Sequence, residues 1–142
     1  MKASARNQWE GQVSTVEVGA VNAEVSLALR GGTTLIASIT RDSVSSLGLE
    51  KGKSVLALVK APHIIVVTDD EGYSLSTRNQ LTGTIRSLEK GPITTEVVIE
   101  LSGGDVVVAT ITSDSSTTLG LTVGKSATAA FKASAVIIAA KV

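Results

Sequence analysis

Cysteine is absent from the chain, which excludes disulfides, thiolate metal centres and cysteine nucleophiles together. Aromatic rings are nearly absent too, with Trp9, Tyr73 and Phe131 the whole supply. Any core must therefore be built from Val, Ile, Leu and Ala. A single-strand nucleic-acid binder, which stacks bases on rings, is poorly provided for. Neither sign of charge is in excess, since 13 basic residues face 13 acidic ones. Non-specific nucleic-acid binding normally needs a basic surplus to displace counterions. Long apolar runs are also missing: Ala133 to Ala140 is far too short to span a bilayer, and Ser134 interrupts it. The start, Met1 to Asn7, lacks the apolar centre of a signal peptide. These gaps lead to an expectation of a soluble, cytoplasmic protein with neither membrane nor nucleic acid as partner.

What is present is apolar substance and a duplication. Hydrophobic residues make up 43% of the 142 residues, enough for a packed core and too many for a disordered chain. Sliding the sequence against itself by about 72 residues aligns Ser4–Val67 with Ser76–Ala139 without a gap, with about 27 identities in roughly 64 pairs. That period is too long for a solenoid repeat, so each copy is expected to be a domain in its own right. The expected division is 1–68 for the first module, 69–75 for a linker and 76–142 for the second. The polar run Thr68-Asp69-Asp70-Glu71-Gly72-Tyr73 supplies the turn chemistry of the tether.

Within copy one, Gly11 to Val18 and Asn22 to Leu29 read as strands, the latter with Ala23, Val25, Leu27 and Leu29 alternating against polar or small residues. Gly31-Gly32 turns the chain into a third strand, Thr34 to Ile39. Thr40-Arg41-Asp42-Ser43-Val44 then reads as the start of a short helix ending near Gly48. Strands Lys53 to Lys60 and His63 to Val67 complete the copy, and copy two repeats the plan. The fold class expected is all-β: two tandem OB-like five-stranded β-barrels, each with one short helix. A barrel of about 65 residues is marginal alone, so docking of copies or chains is expected.

Both copies keep Ser4/Ser76, Arg6/Arg78, Asn7/Asn79, Thr40/Thr112, Ser43/Ser115 and Lys60/Lys132. Hydroxyls, guanidinium and ammonium all donate hydrogen bonds, and Arg and Lys cannot accept one. A fully deprotonated oxyanion needs such a shell of charge-assisted donors. Thr40 at a helix start adds first-turn amides with positive partial charge, although Thr-x-x-Ser is equally an ordinary N-cap. Arg6 and Lys60 read equally well as solvated surface charges, and Asn7 as a turn former. The shared acids Glu24/Glu96 and Asp42/Asp114 read as strand and helix-start residues rather than as a general acid/base pair. The single histidine, His63, is matched by Ala135 and reads as surface or packing, which leaves no base for nucleophilic catalysis. Gly52-Lys53-Ser54 and Gly124-Lys125-Ser126 imitate the tail of a phosphate loop, but Leu47 and Leu119 stand where that motif needs glycine. Both are read as tight turns.

Ser4-Ala5-Arg6-Asn7-Gln8, Gly19-Ala20-Val21-Asn22-Ala23-Glu24-Val25, Ile39-Thr40-Arg41-Asp42-Ser43, Leu47-Gly48-Leu49 and Lys60-Ala61-Pro62, in this order and spacing in both halves, resemble the Mop domain. The chain as a whole is similar to the two-module molbindins. The resemblance implies a molybdate- or tungstate-binding protein that is not an enzyme, with no cofactor and no metal bound as a cation. It also implies a homotrimer whose oxyanion sites lie between modules. Carried over, Ser4, Arg6, Lys60 and Ala61 would meet Thr40 and Ser43 of a neighbour, and Ser76, Arg78, Lys132 and Ala133 would meet Thr112 and Ser115. Arg6 and Lys60 would then lie together, holding unneutralised positive charge while the site is empty.

Further family sites on the threefold axis would fall at Gly19, Ala20, Val21 and Asn22, and at Gly91, Ile93 and Thr94. There Pro92 replaces Ala20 and removes an amide donor, which weakens the case for copy two. The role implied is intracellular molybdenum storage or homeostasis. A donor-only shell suits molybdate, which carries no proton at neutral pH, better than phosphate, which keeps one much of the time. Two other readings remain at this point: an OB-type nucleic-acid module, and a ligand-free structural assembly domain.

Overall fold

The structure is a computed structural model describing residues 1–142. Copy one forms β1 (Asn7–Val18), β2 (Asn22–Leu29), β3 (Thr34–Thr40), the helix α1 (Arg41–Leu47), β4 (Ser54–Val59) and β5 (Ile65–Val67). Copy two repeats them as β6 (Asn79–Lys90), β7 (Thr94–Leu101), β8 (Val106–Thr112), α2 (Ser113–Thr118), β9 (Ser126–Phe131) and β10 (Ile137–Ala139). A single 3-10 turn, Ala61–His63 or Ala133–Ala135, precedes the last strand of each copy. No helix is long and apolar enough to cross a membrane.

Alternation sets the faces. In β2, Ala23, Val25, Leu27 and Leu29 are buried while their neighbours are not, as a strand with one face on a core requires. β1 is longer than the expected strand because it serves two partners. Asn7 to Gln12 pair with β4 and Gly11 to Val18 with β2. A register shift between Val13 and Thr15 bends it from one partner to the other, the usual effect of a bulge. β6 does the same between Ile85 and Ser87. At the crossing a Cβ on Gly11 or Gly83 would run into the carbonyl of Ala28 or Glu100, so both positions require glycine.

The two five-stranded, OB-like units expected are present, and the copies dock by exchanging strands. The sheets run β10-β4-β1-β2-β3 and β5-β9-β6-β7-β8. Each copy therefore lends its last strand to the other. β10 pairs with β4 in the register Ile138↔Ala57 and β5 pairs with β9 in the register Val66↔Ala129. These strands also pack against β3 and β8, respectively, which closes each sheet toward an OB-like barrel. One hydrophobic cluster of 25 residues runs through both halves, from Trp9 and Val13 to Phe131 and Ile138. Exchange has a physical reason: a lone barrel of this size buries too little surface, and a shared core gives both halves a larger one.

The retained asparagines lie at this junction. Asn7, 1% exposed, donates to the Val59 carbonyl and to the Val108 carbonyl at 2.8 Å, and accepts from Val108 N–H at 2.7 Å. Asn79 makes the same bidentate pair with Ile36, at 2.8 Å both ways. Each side-chain amide thus behaves as a strand backbone toward the free edge of β8 or β3. Asn7 is neither a turn former nor an anion ligand.

Candidate functional site

The ladder that pairs Asn7 with Val59 and Asn79 with Phe131 places Arg6 beside Lys60 and Arg78 beside Lys132, one step beyond each register. Ala61 and Ala133 follow as buried first residues of the 3-10 turns. Lys60 and Lys132 are exposed, and their ammonium groups enter no hydrogen bond or ion pair. Ser4 and Ser76 are exposed, two residues before Arg6 and Arg78. Arg6, Lys60 and Ala61, and likewise Arg78, Lys132 and Ala133, thus follow the same end of the β1–β4 or β6–β9 ladder.

The charge at that end differs from expectation. Arg6 makes a forked contact with Glu96, Nη1 to one carboxylate oxygen and Nη2 to the other at 2.9 Å. Arg78 makes the mirror contact with Glu24, at 2.7 and 3.0 Å. The hydrogen bond and then the charge of the glutamate hold each guanidinium above its ordinary pKa. Arg6 is therefore not an unneutralised cation; only Lys60 keeps free charge. Glu24 and Glu96 are thus more than the strand residues expected, and nothing local in a strand reports a partner in the other half.

Thr40 and Thr112 are N-caps as expected. Their hydroxyls accept from the amides of Ser43 and Ser115 at 3.1 Å, and the paired hydroxyls lie 2.8 and 2.7 Å apart. Arg41 N–H is also spent, on the Val21 carbonyl. The helix starts thus offer a hydroxyl pair rather than a row of free amides. No hydrogen bond joins Thr40 or Ser43 to Ser4, Arg6 or Lys60, nor Thr112 or Ser115 to Ser76, Arg78 or Lys132. Two surface grooves, about 600 and 880 Å³, lie elsewhere, around Arg86 and Glu100 and around Arg30 and Lys53. Neither contains any of these residues.

The false phosphate loops are turns, and their lysines have a structural task. Lys53 donates to the Leu47 carbonyl at 2.5 Å and Lys125 to that of Leu119 at 3.1 Å, satisfying free carbonyls and opposing the dipole at the helix ends. His63 is exposed, as read.

At the expected axial positions the copies diverge. Val21 and Ile93 are both exposed hairpin tips. In copy two, however, Ser113 donates to the Gly91 carbonyl at 2.6 Å and contacts the Thr95 hydroxyl at 3.0 Å. Copy one has Arg41 and Ala23 at these places, so its hairpin tip lacks this hydroxyl pair.

The fold is a duplicated small-barrel module with a donor-rich end in each copy. Residues 3–66 and 75–138 each match the family described as the TOBE domain, and the chain belongs to that family, twice over. Among curated relatives, it is 42% identical over 139 residues to the molybdenum-pterin-binding protein MopA of Rhodobacter capsulatus. It is 40% identical over 139 residues to the molybdenum transport protein ModE of Herbaspirillum seropedicae. It is 39% identical over 140 residues to the DNA-binding transcriptional dual regulator ModE of Escherichia coli (strain K12). Each match covers 98% of this chain and 52% of the relative, so the chain spans about half the length of these proteins. A solved structure of the cytoplasmic molybdate-binding protein ModG, with molybdate bound, is similar over 99% of this chain and 100% of its own, at 47% identity and a TM-score of 0.96.

Proposed function

We propose that this chain binds molybdate or tungstate reversibly, without catalysis, and serves intracellular molybdenum storage or homeostasis. The observation that carries this reading is the full-length likeness to molybdate-bound ModG, joined to a donor set that occurs in both halves. Ser4, Arg6, Lys60 and Ala61 supply one wall of a site, and Thr40 and Ser43 of a neighbouring chain supply the other. Ser76, Arg78, Lys132 and Ala133 meet Thr112 and Ser115 in the same way. Within one chain the two groups do not hydrogen-bond, which supports completion by a second chain; a trimer is the assembly that the resemblance to two-module molbindins implies. The exposed Val21 and Ile93 tips suit burial on a threefold axis. Copy one has the better axial anion site, because Arg41 is exposed there without an ion-pair partner whereas Pro92 lacks an amide hydrogen.

Calorimetric titration of one preparation with molybdate, tungstate, sulfate and phosphate tests the reading, with light scattering for the assembly. Molybdate and tungstate should bind far more tightly than phosphate, and scattering should give three chains. Phosphate binding of equal strength at neutral pH overturns the donor-only shell. A monomer that still binds overturns the shared site. One relative is named as DNA-binding, but this chain covers about half of it and carries no net charge. A gel shift at low salt that retards DNA would favour a nucleic-acid role instead.

A further inference from the structure

The arginines of the proposed sites are each held by a carboxylate of the other half, and this has a bearing on binding. Glu96 lies directly opposite Glu89 in the β6–β7 ladder, and Glu24 opposite Glu17 in the β1–β2 ladder. Like charges so placed are destabilising, and each guanidinium contacts one carboxylate of such a pair, Arg6 that of Glu96 and Arg78 that of Glu24. The pairs are about half exposed on the arginine side, and isolated exposed ion pairs contribute little to stability. Stability alone is thus a weak reason for both halves to have the same forked contact. A guanidinium has five N–H donors in one rigid plane. The fork toward glutamate uses two and leaves three, and it removes much of the rotamer freedom of a long side chain that an anion would otherwise have to freeze.

We propose that Glu96 and Glu24 are positioning residues of the oxyanion sites, each presenting the arginine of the opposite half to the ligand with its remaining donors free. The inference rests on the oxyanion reading above. It makes each site dependent on both halves: the copy-one arginine is aimed by copy two, and the copy-two arginine by copy one.

The test is calorimetric titration of the full chain with sodium molybdate, in wild type, E24Q/E96Q, R6A/R78A and the quadruple variant. E24Q/E96Q should weaken binding on the order of tenfold, the loss of a well-aimed charge-assisted hydrogen bond, while unliganded melting scarcely moves. In the R6A/R78A background the same glutamine pair should have no further effect, because the glutamates act only through the arginines. Tighter binding by E24Q/E96Q overturns the proposal and makes the glutamates competitors of the anion. Unchanged affinity overturns it, as does an equal further loss without the arginines. Wild type that takes up no molybdate overturns the oxyanion reading itself, a result distinct from a loss confined to the variants.

Discussion

Copy one carries Trp9 where copy two carries Leu81, and Val59 where copy two carries Phe131. Because the halves cross, Trp9 and Phe131 meet, their rings stacked with centroids 6.3 Å apart and planes at 24°. The second crossing has only aliphatic side chains at the matching places. β9 compensates for its phenylalanine with Ala127 and Ala130 where β4 has Val55 and Leu58. The barrel ends, by contrast, keep Ser, Arg, Lys, Ala, Thr and Ser in both copies, with the same arginine–glutamate fork. Core positions have changed in compensating pairs, because a core asks only for volume and apolarity. The donor-bearing ends proposed to hold the anion have not, because a donor at a fixed angle has no equivalent of another shape.

The largest effect should come from breaking the aromatic crossing. Phe131 is 1% exposed, and Phe131→Ala should cost about 3–5 kcal/mol through lost transfer energy and a cavity. Val59→Ala, at the aliphatic crossing, removes two carbons and should cost roughly half as much. Urea unfolding followed by the fluorescence of Trp9, the single tryptophan, measures both. Equal costs would mean that the crossings are energetically alike and that the stacked pair adds nothing.

The next effect concerns the junction both halves share. Asn7→Ala leaves the amide and carbonyl of Val108 without their partner, and Asn79→Ala does the same to Ile36. A buried backbone group left unsatisfied costs about 1–3 kcal/mol, so each variant should lose about 2–4 kcal/mol and the two should match. A much smaller loss for one would show that water reaches that edge.

The alternation of β2 and β7, the N-caps Thr40 and Thr112, and the turn at Gly48 were legible in sequence, because each depends on neighbours within a few residues. The exchange of β5 and β10 was not. A strand of three residues has the same pattern whether it pairs within its own copy or in the other, and the repeat offset is unchanged by the swap. The tasks of Asn7 and Glu96 were hidden for the same reason, since their partners lie 101 and 90 residues away. One signal was available for the glutamates. Glu17 and Glu24 face each other across a hairpin in both copies, and such a pair asks for a nearby cation.

Smaller in energy, but sharper for the sites, is the comparison of cationic ends. Arg6→Ala with Lys60→Ala, and separately Arg78→Ala with Lys132→Ala, should each remove about half of the molybdate-induced rise in melting temperature. Each should also weaken its own sites about tenfold to a hundredfold, the scale of one or two charge-assisted bonds. A folded-state ligand at 100 times its dissociation constant stabilises by roughly 2.7 kcal/mol per site, so the shift is measurable. A quadruple variant that keeps the whole shift would place the anion elsewhere.

The smallest expected effect lies at the hairpin tips, where the copies part most plainly. Ser113 is 7% exposed, and its hydroxyl donates to the Gly91 carbonyl at 2.6 Å while contacting Thr95 at 3.0 Å. Its backbone N–H donates to Ile93, a bond that Arg41 N–H also makes to Val21 in copy one. Removing the hydroxyl therefore deletes only what copy two has in addition. Thr95 is wholly buried and loses its partner, while the half-buried Gly91 carbonyl turns to water. The net cost of Ser113→Ala should be about 1 kcal/mol, a fall of ~3 °C in melting temperature for a chain of this size. Arg41→Ala changes an exposed side chain and should stay within about 0.5 kcal/mol of wild type. Hydrogen exchange gives the local reading: the Gly91 amide, bonded to the Thr94 carbonyl at 2.9 Å, should exchange faster in Ser113→Ala. The Gly19 amide, which bonds Asn22 at 2.8 Å, should not respond. Equal exchange at Gly19 and Gly91 in wild type would show that the hydroxyl pair does not stiffen the copy-two hairpin. The difference between the tips would then rest on Pro92 and on the Lys90 ammonium, which donates to the Thr117 hydroxyl at 2.7 Å where copy one has Val18.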